Sequence, residues 1–201
     1  MQNPSIFFAG LILLSLSAPR LLAYPPGVGI LSKSENCLSC HVDNGPWKDD
    51  ALTICDILDK ETKLSLKQAD GSFLIRVKRS EARTVLTVLG RVGNDQAAVP
   101  RRNGWLYLDP KTIPTSSLSK FAPGWEVNLP MSCRLLGDKL TNYPDARISV
   151  LPMTIRPTDA AQDAELTLQF MFTMGESMKN SPKEGMVGNY FVRKVQLQVI
   201  N

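Results

Sequence analysis

The chain reads as an all-β protein, an immunoglobulin-like antiparallel β-sandwich, on three observations. Apolar and polar residues alternate with a period of two, as in Phe73, Ile75 and Val77 set against Arg76 and Lys78. Val195, Leu197 and Val199 alternate in the same way with Lys194, Gln196 and Gln198. Turn-forming clusters such as Ala69-Asp70-Gly71, Asn103-Gly104 and Pro157-Thr158-Asp159 punctuate these runs. The i, i+3, i+4 spacing of an amphipathic helix is missing over most of the chain.

The elements follow in order. Residues 1–23 carry an apolar run, Ile6 to Leu16, and end on Leu21-Leu22-Ala23, the pattern of a cleaved export signal. The run is shorter than the ~20 residues a spanning helix needs, and its leading segment has only the amino-terminal charge. Cleavage after Ala23 predicts a mature chain starting at Tyr24 in the periplasm or another extracytoplasmic, oxidising space.

Residues 24–50 hold the one sharp chemical signal. Asn36-Cys37-Leu38-Ser39-Cys40-His41 contains C-x-x-C-H, the attachment sequence of c-type haem. Two thiols three positions apart can each form a thioether to a haem vinyl group, and the following imidazole can bind the iron on the proximal side. His41 is the single histidine of the chain. Zinc would require a second ligand pair, and the other cysteines, Cys55 and Cys133, stand alone in sequence. A thioredoxin-like site would require a βαβ setting. One covalent haem c on Cys37 and Cys40, with His41 as proximal ligand, is the expectation.

With one histidine, the distal iron position falls to Met, Lys, an α-amine, water or a partner's group. Tyr24, through its terminal amine, and Met131, in Leu129-Pro130-Met131-Ser132, are the two named candidates. An α-amine has a pKa near ~7.7–8.0, low enough to deprotonate and bind iron. Met153 and Met174 are in phase with apolar strand residues and read as core. Met178 and Met186 fall in a loop. Trp47 reads equally as a packing partner of the haem ring and as an ordinary core aromatic.

The arrangement resembles cytochrome f in three features: the Tyr24-Pro25 start, the early Cys37/Cys40/His41 motif and the strand-rich remainder. The likeness is architectural. It implies haem ligation by the Tyr24 amine and a β-sandwich body, although the segment ahead of the motif and the whole chain are shorter here.

Residues 51–201 form the sandwich, packing with the haem segment as one domain. Strands are expected near Leu52–Leu58, Thr62–Lys67, Phe73–Val77, Thr84–Leu89, Trp105–Leu108, Trp125–Leu129, Arg147–Ile155, Glu165–Met174 and Val195–Val199. Cys55 and Cys133 are open to pairing, which would stabilise by roughly 3–5 kcal/mol, or to remaining free.

With 43% hydrophobic and 21% charged residues the 201-residue chain is of globular type, and its net charge of +4 is too small to suggest nucleic acid. Lys78, Arg79, Arg83, Arg91, Arg101 and Arg102 concentrate positive charge in the first half of the sandwich. They read either as a solvated face or as a docking patch for an acidic redox partner. The leading functional expectation is a monohaem electron carrier between redox proteins, not an enzyme. A haem subunit of a membrane-associated respiratory complex and a gas-binding or enzymatic haem protein with an open distal site are the alternatives.

Overall fold

Residues 35–93, 100–114, 120–175, 177, 179 and 186–201 are described in the computed structural model; the expected export signal at 1–23, Tyr24 and Met178 lie outside them. Nine strands occur among the described residues: β1 (Thr53–Asp59), β2 (Phe73–Lys78), β3 (Arg83–Val92), β4 (Arg102–Leu108), β5 (Trp125–Val127), β6 (Met131–Leu135), β7 (Ala146–Pro157), β8 (Ala164–Met174) and β9 (Val187–Ile200). They form two sheets, β1-β3-β7-β5 and β2-β9-β8-β4-β6. The protein is an all-β sandwich.

The strand alternation explains why the sheets face one another. On β8, Leu166, Leu168, Phe170 and Phe172 point inward and are fully buried. Their cross-strand neighbours Trp105 and Tyr107 on β4 and Val195 and Leu197 on β9 do the same. From the other sheet Ile57, Val85, Leu89, Met153 and Ile155 meet them in a single core. Met153 and Met174 belong to this core or pack against it, as their phase requires. Polar links cross between the sheets inside it. Tyr107 Oη lies 2.7 Å from Thr87 Oγ1, and Asn103 Nδ2 donates to Leu89 O at 2.8 Å.

Two expectations need correction. The sheets are not wholly antiparallel, because β2 pairs in parallel with β9. Parallel neighbours need a long crossover, and most of the sandwich lies between these two strands in sequence. The stretch Thr62–Lys67 is not a strand and makes only isolated bridges, Leu58 with Ser65 and Lys67 with Phe73. Asp59 bends the chain there by accepting from the Glu61 and Thr62 backbone N–H groups at 3.0 and 2.9 Å, and Lys63 takes a left-handed φ of 59°. A strand not expected from the sequence, β6, forms the edge of the five-stranded sheet on β4, after the turn at Leu129 and Pro130.

Outside the main core, Ile54, Leu58, Leu86, Val88 and Ile148 form a second cluster on the outer face of the four-stranded sheet. Leu140 and Tyr143 pack against it, and Tyr143 Oη donates to the buried Asp56 carboxylate at 2.5 Å.

Candidate functional site

Cys37–Ser39 is a single 3-10 turn. Its geometry follows from the spacing: the Cys40 and His41 N–H groups both donate to Cys37 O, at 3.2 and 3.0 Å. Both motif cysteines and the histidine are therefore carried on one tight turn, and all three are half-buried. Both thiols are free.

The turn is pinned from two sides. Gln169 on β8 accepts from the Cys37 N–H through Oε1 at 3.1 Å and donates to Glu35 O through Nε2 at 3.2 Å. On the far side of His41, Val42 N–H donates to Ser177 O at 3.0 Å, and Lys179 N–H donates to Cys40 O at 2.8 Å. The His41 backbone is thus held between two strand-like hydrogen bonds.

Residues 42–50 then run along the part of β9 that β2 does not cover. β2 pairs with β9 only from Val195 to Ile200, which leaves backbone groups farther back on β9 without a strand partner. This segment takes them: Asn44 and Gly45 N–H donate to Gly188 O at 2.9 and 2.8 Å, and Asp43 Oδ1 accepts from Tyr190 N–H at 3.2 Å. Covering an open sheet edge in this way removes a template for wrong pairing. The approach is close enough to require glycine on both sides. A Cβ on Gly45 would lie 2.7 Å from Asn189 Oδ1, and one on Gly188 would lie 2.8 Å from Val42 O.

Asn189 is the central polar residue of this seam. Fully buried, it accepts from Trp47 N–H at 2.6 Å and donates to Asp43 Oδ1 at 2.8 Å. Trp47 itself is wholly buried in the sandwich core. It plugs the end of the core and anchors residues 42–50, so of the two readings of its ring, the core aromatic holds. Arg91, 2% exposed, adds donors to Trp47 O and Asp49 O at 3.3 and 3.4 Å, and Arg193 pairs with Asp50.

The remaining sequence-predicted residues are dispersed. Met131 begins β6, opposite Leu106, on the outer face of the five-stranded sheet. Met186 packs against Gly175. Met171, also on the outer face, is buried, and its Cε would lie 3.1 Å from a Cβ on Gly188. Cys55 faces the core from β1, whereas Cys133 is exposed on β6. Cys55 points into the core between the sheets and Cys133 points out from the far face of the other sheet, so the two side chains face apart and both thiols are free. Of the basic residues, Arg83 is paired with Asp59, Lys78 with Glu81, Arg79 binds the carbonyls of Thr158 and Asp159, and Arg91 is buried. These four serve internal contacts.

Sequence reasoning missed Gln169 and Asn189. Each is a polar residue inside an apolar strand run (Leu-Gln-Phe and Gly-Asn-Tyr), and that interruption is the signal that could have found them.

The site's chemistry favours haem over the other C-x-x-C readings. Burial pushes the Cys37 thiol up to about 12, the reverse of the depressed thiol pKa that a reactive dithiol uses. Among the described residues no three His, Cys, Asp or Glu side chains converge as a metal cluster, so no second ligand pair for zinc is found there. Two free thiols and an imidazole on one pinned turn fit the covalent attachment of a haem. Comparison with protein-family models and with curated proteins gave no match.

Proposed function

We propose that the chain is an extracytoplasmic monohaem c-type cytochrome that passes single electrons between redox partner proteins. The observation that carries this reading is the turn Cys37–His41: the chain's sole histidine directly follows its only C-x-x-C, and both lie on a turn held by Gln169, Ser177 and Lys179. Cys37 and Cys40 would hold the haem through thioethers, and His41 would bind its iron. The bound group supplies one-electron chemistry. The chain's part is to hold the imidazole at a fixed place and to keep the attachment turn from opening. Gln169 sets the entry of the turn, and the paired backbone at residues 40–42 sets its exit. A rigid setting of this kind suits a relay, because little reorganisation accompanies the change of charge.

The test is intact-mass analysis of the exported protein, made in a host that attaches haem c. The expected product carries one haem mass and starts at Tyr24. Cys37→Ser/Cys40→Ser removes that mass. A wild-type product without covalent haem overturns the reading.

A further inference from the structure

The two sheets end on β1, β5, β2 and β6. Residues 65–67 close the first and third of these edges together. Leu66 N–H donates to Ile57 O on β1 at 2.8 Å, and Leu66 O accepts from Leu74 N–H on β2 at 3.1 Å. The β5 edge is only three residues long. On the outer side of β6, among the described residues, no strand lies.

The backbone of β6 is presented to that side. Tyr107 N–H donates to Pro130 O at 2.8 Å, and Leu136 N–H donates to Arg101 O at 3.1 Å. Even-numbered residues of this stretch therefore address β4. In an antiparallel pair the residues between them point their N–H and C=O groups the other way. Those residues are Met131, Cys133 and Leu135. Leu135 O accepts from Ser149 Oγ at 3.0 Å, and a carbonyl keeps a second lone pair for another donor.

The side chains leave the edge unguarded. Cys133, Arg134 and Leu135 are exposed, Leu135 by 62%. Sheet edges are ordinarily protected by Lys, Pro or an unpaired charge. Met131–Leu135 contains no Lys or Pro, and its charge, Arg134, is paired with Asp138 at 2.9 Å.

The strand is also complementary to itself. In Met131-Ser132-Cys133-Arg134-Leu135 the apolar residues stand at the ends and the polar ones flank Cys133. A two-fold axis at Cys133 sets Met131 opposite Leu135 of a second copy, Ser132 opposite its Arg134, and Cys133 opposite its Cys133. Apolar side chains then meet across the strands, and each guanidinium faces a serine, so no like charges are opposed. Sliding the register two residues toward the carboxyl end would set Arg134 against Arg134.

We infer that β6 is the contact between two copies of this chain, paired antiparallel about a two-fold axis at Cys133 so that the two five-stranded sheets run on as one. The contact is isologous, the same strand serving both copies. It stands apart from the haem reading and holds whether or not haem is attached. A pairing of this length is at the small end of protein interfaces, so the dimer comes apart on dilution.

The register makes the two Cys133 residues a hydrogen-bonded pair with Cα atoms about 5.5 Å apart, within the span of a disulfide. Full-length protein is followed by sedimentation velocity over a concentration series. A second sample is treated with oxidised glutathione. Closing a bridge oxidises two thiols to the disulfide, and their two hydrogens reduce one oxidised glutathione to two reduced molecules. The expected result is a monomer–dimer equilibrium, with a covalent dimer whose bridge peptide mass spectrometry maps to Cys133–Cys133. Cys133→Ser keeps the equilibrium and loses the covalent dimer. Cys133→Lys opposes two ammonium groups and weakens dimerisation at least about tenfold, since like charges set face to face cost several kcal/mol. Leu135→Glu, at an exposed position, weakens it as well and serves if Cys133→Lys does not fold. A chain that stays monomeric at the highest concentration reached overturns the inference. A dimer that the charged variants leave unchanged, or one in which oxidation closes no Cys133–Cys133 bridge, overturns it too.

Discussion

The backbone N–H of Cys37 donates to Oε1 of Gln169 at 3.1 Å, across 132 positions of sequence. A strand residue of β8 thereby fixes the first cysteine of the motif, and its amide nitrogen holds Glu35 O as well. Gln169→Leu removes both bonds while keeping the bulk. Each such bond contributes roughly 0.5–1.5 kcal/mol net, so urea unfolding should show a loss of about 1–3 kcal/mol. Attached haem should remain, because its bonds are covalent, but its optical spectrum should broaden as the turn loosens.

Asn189 sits deeper, satisfying Trp47 N–H and binding Asp43 with no exposure to water. Asn189→Leu would strand the buried Trp47 N–H, whereas the exposed Asp43 carboxylate keeps water and the Tyr190 N–H. The expected cost is roughly 1–3 kcal/mol, because an unpaired buried group keeps its full desolvation penalty. Trp47 fluorescence and limited proteolysis before Thr53 check it: the segment should detach as a unit. An unchanged proteolysis rate would contradict the role given to Asn189.

Asp59 carries a pH dependence. The Thr62 backbone N–H, together with the Arg83 guanidinium, holds its carboxyl down to about 2. A depressed folded-state pKa contributes stability that is present above the unfolded value, near ~3.9, and is lost as pH falls through the folded value. Wild type should therefore lose roughly 2 kcal/mol between about pH 4 and pH 2 through this group. Asp59→Asn should be less stable at neutral pH and show a flatter acid limb in pH-dependent thermal melts.

The two spare cysteines should behave as independent residues. Cys133→Ser lies on an exposed edge and should change stability by no more than about 0.5 kcal/mol in the haem-free chain. Cys55→Ser puts a hydroxyl in the core and should cost roughly 1–3 kcal/mol. Non-reducing mass analysis should find no intramolecular 55–133 bridge.

Much of the fold was legible because burial in a sandwich imposes a period of two. Phe73–Val77, Trp105–Leu108 and Glu165–Met174 all show inward residues at alternate positions, and all are strands. Thr62–Lys67 misled for the same reason in reverse. It alternates correctly, yet the Asp59 turn uses its backbone groups locally. β6 escaped because its apolar phase faces outward and its start is masked by Leu129-Pro130, so pattern alone could not assign it to a sheet.

The sequence by itself determined that Cys37, Cys40 and His41 share one turn, since that depends only on separations of three and four positions. It also set the sandwich class, because alternation is a local record of which side chains avoid water. Only the tertiary structure decided what holds that turn. Gln169, Asn189 and Gly188 lie more than a hundred residues away and reach it through strand order and register, neither of which is written in any local pattern. The same holds for Cys55 and Cys133: their spacing allows a bridge, but one faces the core and the other faces outward from the opposite sheet.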